Sequence, residues 1–226
     1  MPSTRAPRAR SSSVAKAAQA GEGSKKIWIV AAVVLVVALA GVMAIALAGE
    51  DSASDVREGQ TAAVDIEGER LPQMAQGERT NSINQPAPEV SGTSLTGEPM
   101  SITNDGTPKV IAFMTHWCPN CQAEVPIVSQ WYNDGNAPDD VDILTINTGV
   151  DPLRGNYPPT TWYESEDWNV PTLLDDAAGS AANAFGLTAY PFWAVIDADG
   201  NAIFQQSGQI GIPELEGLID LARNGG

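Results

Sequence analysis

Two cysteines stand three positions apart in Trp117-Cys118-Pro119-Asn120-Cys121, and the chain has no others. Such a pair closes no long loop, so it cannot staple distant elements together. A structural zinc site usually takes four Cys or His ligands, and the sequence offers one histidine, His116. The spacing suits dithiol chemistry, in which one thiolate attacks a disulfide and the second resolves the mixed disulfide. Cys118 is the expected nucleophile and Cys121, one helical turn further on, the expected resolving thiol. Glu124 follows three residues later and falls on the same helix face. A half-buried carboxylate there can pass a proton to or from Cys121. The competing reading of Glu124 is an exposed first-turn acid that suits the helix dipole. His116 would favour the thiolate if protonated, although a loop histidine is more often solvated.

The elements around the pair must put Cys118 at a helix N-terminus, where unpaired N–H groups and the macrodipole favour an anion. Val110 to Met114 is an apolar run that predicts a buried strand, and Pro119 to Tyr132 reads as a helix, with Pro126 expected to kink it. Further buried strands are expected over Val141–Ile146 and Val170–Leu174, with a short helix over Ala177–Phe185. Phe192–Ile196 and Ala202–Gln206 flank Asp197-Ala198-Asp199-Gly200, a hairpin signal. Pro213–Ala222 predicts a last amphipathic helix. Alternating strands and helices, then a hairpin and a helix, imply one α/β domain around a mixed central sheet. Trp131, Trp162, Trp168 and Trp193 read as packing residues.

Several motifs in order resemble the thioredoxin superfamily, and within it the membrane-tethered extracytoplasmic TlpA- and ResA-like branch. They are Pro86-Ala87-Pro88-Glu89-Val90, the CxxC, Glu124-Val125-Pro126, Pro171-Thr172-Leu173-Leu174-Asp175, Tyr190-Pro191-Phe192 and Val195 to Gly200. The resemblance runs from about Pro86 to Leu221. It implies a thioredoxin-like fold, a mixed sheet flanked by helices with an N-terminal hairpin extension. It also implies thiol–disulfide oxidoreductase activity with no metal or organic cofactor. Pro191 matches the family's cis-proline facing the disulfide, so Tyr190 and Pro191, with Trp117 beside the cysteines, are the expected substrate-binding residues. Without that match, a trans proline at a strand start is the commoner arrangement. Ala112 stands where ordinary thioredoxins carry a buried Asp, leaving Glu124 as the one acid of this kind.

Upstream, the sequence changes character three times. Residues 1–26 carry six Lys/Arg against one acid and predict a basic, disordered cytoplasmic tail. Residues 27–48 are 22 uncharged, mostly apolar residues; as a helix of roughly 33 Å they match a bilayer core of about 30 Å. Lys25 and Lys26 precede this stretch and Trp28 starts it, which predicts a single-pass plasma-membrane anchor with the C-terminal part outside. A signal peptide cleaved near Ala48, giving a secreted protein, is the competing reading. Residues 49–85 are acidic and poor in large apolar residues, and read as a flexible linker before a folded domain over 86–226.

The net charge of −16 excludes nucleic acid as a partner. The expected partners are protein thiols and disulfides outside the membrane, together with a membrane electron-transfer partner. Two rivals use the same cysteine pair. Thr115, three residues before Cys118, resembles part of a peroxiredoxin signature, but Ile111 replaces the proline expected there. Copper assembly would suit soft thiolates, but no histidine follows His116. The weakly favoured direction of exchange is disulfide reduction, with a disulfide-forming oxidase of the same fold as the alternative.

Overall fold

The computed structural model describes residues 61–74, 77–80 and 84–225. The chain divides into two units, Met1–Ala48 and Gly49–Gly226, and every described residue lies in the second. The expected basic tail and apolar anchor therefore lie outside the described residues, as do residues 49–60 of the expected linker. Among the described residues, no helix is long and apolar enough to cross a membrane.

The centre of the fold is β6 (Lys109–Met114), a strand buried at every position. It pairs in parallel with β7 (Asp142–Asn147), and β7 in parallel with β8 (Thr172–Leu174). On its other side β6 pairs antiparallel with β9 (Phe192–Ile196), which forms a hairpin with β10 (Asn201–Ser207). Side chains alternate across a strand, so β6 feeds two cores. Val110, Ala112 and Met114 face a cluster built on α1 (Pro119–Trp131) and α4 (Ile212–Asn224). Ile111 and Phe113 face a second cluster with Ala181 and Ala182 of α3 (Ser180–Ala184) and with Phe185. Burial on both faces explains why β6 reads as an unbroken apolar run. A further helix, α2 (Pro159–Ser165), brings Trp162 and Tyr163 into the first cluster. Trp131, Trp162, Trp168 and Trp193 are all buried.

The N-terminal hairpin is β4 (Glu89–Ser94) with β5 (Pro99–Ile102), and β4 joins the sheet beside β8. The sheet is thus mixed, as expected, and the architecture is thioredoxin-like.

For the described residues among 61–85 the linker reading fails. β1 (Asp65–Glu67) pairs with β4, while β2 (Arg79–Thr80) and β3 (Gln85–Pro86) pair with β10. Between them Leu71 and Met74 are buried. Leu71 N–H donates to Ala184 O at 2.8 Å and Met74 N–H to Gly186 O at 3.3 Å. Gly186 has φ +73°, and a Cβ there would collide with the Pro72 carbonyl, so the segment is docked closely. The third helix is also shorter than expected. Asp176 Oδ1 accepts the N–H groups of Ala178 and Ser180, which makes residues 177–179 a turn before the helix starts.

Candidate active site

Chain direction builds the site. β6 ends at Met114, three residues turn, and α1 begins with Cys118 at its N-cap in extended conformation (φ −76°, ψ 121°). Pro119 occupies the first helical position, where a missing N–H costs nothing. Cys118 is 7% exposed and Cys121 fully buried, both as free thiols. The Cys118 thiol donates to Tyr190 O at 3.6 Å, so the loop before β9 closes over the start of α1. The Tyr190-Pro191 bond is cis, as the resemblance implied, and so is Tyr157-Pro158. Trp117 completes one wall. Its ring meets that of Tyr190 edge-on at 5.8 Å between centroids, and its Nε1 donates to Gly149 O at 2.7 Å.

Beneath the pair the side chains are buried. Burial pushes the Cys121 thiol far up, against a hydrogen bond with the Thr115 backbone that favours the thiolate. Glu124 is fully buried, which excludes the exposed first-turn reading. Its Oε1 accepts Ile210 N–H at 2.6 Å, fastening α1 to the segment before α4. Burial pushes its carboxyl up to about 8, opposed by that hydrogen bond and by the nearby Trp193 indole. Neither Glu124 Oε2 nor Trp193 Nε1 makes a hydrogen bond of ordinary geometry. Tyr163, also fully buried, has its hydroxyl pushed up by burial and by Cys121 nearby. Among the described residues, no three His, Cys, Asp or Glu side chains are placed to hold a metal ion.

His116 fits neither expectation. It is fully buried. Nδ1 lies 2.7 Å from Gly155 O, and Asp151 N–H donates to Nε2 at 3.2 Å. That pairing requires a neutral ring with the proton on Nδ1. Burial lowers its pKa, against the Gly155 hydrogen bond and the Asp151 charge. His116 therefore ties down the loop after β7 and holds no positive charge toward Cys118.

The Redoxin family pattern matches residues 82–219, which hold β3 to β10, both cysteines, Glu124 and the cis-proline. The chain belongs to the Redoxin family. The sporulation thiol-disulfide oxidoreductase A of Bacillus subtilis is 37% identical over 54 residues, 24% of this chain. That stretch is 32% of the relative's length, so this chain spans about a third of the curated relative it matches. A thiol:disulfide interchange protein of the thioredoxin family from Chlorobium tepidum superposes with TM-score 0.51 at 23% identity, covering 62% of this chain and 96% of that one; it shares the fold. StoA from Bacillus subtilis superposes with TM-score 0.48 at 22% identity, covering 56% of this chain and 92% of that one.

Within this Redoxin chain, sequence reasoning overlooked the loop that meets Trp117. Gly149 has φ +61°, and a Cβ there would collide with the Tyr190 hydroxyl. Gly149-Val150-Asp151 after a strand was a readable turn signal, but its contact with Tyr190 was not. Arg154 places its guanidinium 4.5 Å from the Trp117 ring centroid, an arrangement with no local signature.

Proposed function

We propose that the chain is a thiol–disulfide oxidoreductase in which Cys118 attacks and Cys121 resolves. The observation that carries this reading is the position of the Cys118 thiol. It sits at the N-terminus of α1, 3.6 Å from Tyr190 O, with Cys121 buried one turn below. The nucleophile is the Cys118 thiolate. It attacks one sulfur of a partner disulfide and releases the other as a thiol. Cys121 then attacks Cys118 Sγ, forms the Cys118–Cys121 disulfide and releases the second partner thiol. Two electrons pass from the dithiol to the partner.

Burial makes the Cys121 proton hard to remove, so a nearby acceptor accelerates resolution. Glu124, one turn away on the same helix, is that group. With its carboxyl near 8, it is mostly protonated at neutral pH and ready to return a proton to Cys121 when the disulfide is reduced. Its ionised form takes the proton in the opposite direction. Trp117, Tyr190 and Pro191 form the wall against which the partner chain lies. No cofactor enters this cycle.

The favoured direction is reduction of partner disulfides. Pro119 and Asn120 between the cysteines carry no charge, whereas strong oxidants of this superfamily often place a His there. The potential then falls between roughly −270 and −120 mV. Titrating the chain against glutathione tests the direction: a midpoint near the upper limit, with fast oxidation of a reduced unfolded protein, reverses it.

The apolar residues 27–48 and the charge step around them support an anchored protein with the Redoxin domain outside the membrane. Electrons would then reach it from a membrane partner. Protease added to intact cells should release the domain; protection until lysis contradicts this topology.

A further inference from the structure

The loop from Gly149 to Tyr157 is fastened to the residues around Cys118 at several points. Trp117 Nε1 and Thr115 Oγ1 both donate to Gly149 O, at 2.7 and 3.1 Å. His116 holds Asp151 and Gly155 through its two ring nitrogens. Asn156 Nδ2 donates to His116 O at 3.2 Å. The Arg154 guanidinium lies over the Trp117 ring, and its Nε is 3.4 Å from Asp151 Oδ2. The tip is ordered too: Leu153 N–H donates to Asp151 Oδ1 at 3.0 Å and Arg154 N–H to Asp151 O at 3.1 Å.

The side chain at this pinned tip nevertheless packs on almost nothing. Leu153 is 93% exposed. Among the described residues, the other exposed large hydrophobic is Ile127, at 48%. A single surface leucine is ordinary, but this one has two further properties. Its backbone is already fixed, so covering it orders no loop. Its neighbour Arg154 stacks on Trp117, the residue before Cys118, so Leu153 is next in the chain to a residue that touches the wall beside the cysteines.

We propose that Leu153 is a specificity-determining contact for polypeptide partners, receiving a large apolar side chain close to the partner's reactive cysteine. This rests on the oxidoreductase reading above. Glutathione disulfide has no such side chain and draws nothing from this contact.

The test uses the full chain in its reduced form with three substrates. Two are disulfide-linked peptides of equal length, one with Leu and one with Ser two positions from the cysteine; the third is glutathione disulfide. Wild type should prefer the Leu peptide by about tenfold in kcat/KM, the size expected for burying one leucine-sized contact, with the difference in KM. Leu153→Ser should abolish that preference and Leu153→Met restore it. Ile127→Ser, a control for loss of any exposed apolar side chain, should keep it. An unaltered preference in Leu153→Ser, or equal loss in Ile127→Ser, overturns the inference. So does a wild type that turns over all three substrates without preference. Failure of wild type on all three overturns the oxidoreductase reading itself, and the inference with it.

Discussion

Glu124 Oε1 accepts the backbone N–H of Ile210 at 2.6 Å, so the acid below the cysteines also ties the CxxC helix to the segment leading into the last helix. A group in that position bears on stability through this bond and on the proton transfer proposed for Cys121, and both should change with pH near 8.

The stability effect has a definite sign. Burial raises the Glu124 carboxyl from 4.5 in the unfolded chain to about 8, so the folded state holds its proton more tightly. Stability from this group is complete below about 4.5 and is lost as pH rises through 8. The loss is about 3–5 kcal/mol at 1.36 kcal/mol per pKa unit. Urea unfolding at pH 6 and pH 9 should show a steep fall in wild type and a much flatter one in Glu124→Gln. Equal slopes would remove the buried acid from the account. The rate of the resolving step should also lose its inflection near pH 8 in this variant.

His116 pulls the other way. Its pKa is lowered by burial, so an unfolded chain takes up a proton that the folded ring refuses. This contribution is present above the unfolded value of about 6.5 and is lost as pH falls below it. Replacing His116 with Gln should flatten the acid side of the stability curve and leave the alkaline side to Glu124. A curve that keeps its full acid slope would contradict the neutral, doubly hydrogen-bonded ring.

Leu71→Ala tests the docked N-terminal segment. The side chain is buried against the second core, and such truncations cost about 2–5 kcal/mol. A linker residue would cost nothing measurable, so an unchanged unfolding midpoint would restore the linker reading.

Gly149→Ala introduces a side chain at φ +61° that meets the Tyr190 hydroxyl. The backbone penalty alone is about 1–3 kcal/mol. Because Tyr190 O receives the Cys118 thiol, disulfide exchange should slow along with the loss of stability. Lost stability with unchanged exchange would separate Tyr190 from the reaction.

What the sequence disclosed and what it hid follow one physical division. Phe192–Ile196 was found to the residue because an apolar run lies between Pro191 and a turn-forming Asp197, both local signals. Cys118 at a helix start was legible for the same reason, with a strand before it and Pro119 after it. β1 was invisible because Asp65–Glu67 holds one apolar residue and exists by pairing with β4, more than 20 positions away. Leu71 and Met74 are single apolar residues among polar ones, and their burial is decided by Ala184 and Gly186. His116 was misread because its partners, Asp151 and Gly155, lie 35 and 39 positions downstream. In Glu124 the helix face was readable, whereas its anchor at Ile210 was not.

The order of attack at the two cysteines is the centre of the account, and trapping measures it directly. Cys121→Ser and Cys118→Ser, each incubated with a disulfide-linked peptide, are analysed by intact mass under non-reducing conditions. Cys121→Ser should accumulate a one-to-one mixed disulfide through Cys118, and Cys118→Ser, left with the buried Cys121, should form none. Equal adducts in both variants, or an adduct in Cys118→Ser alone, would contradict the assignment of Cys118 as nucleophile and Cys121 as resolving thiol.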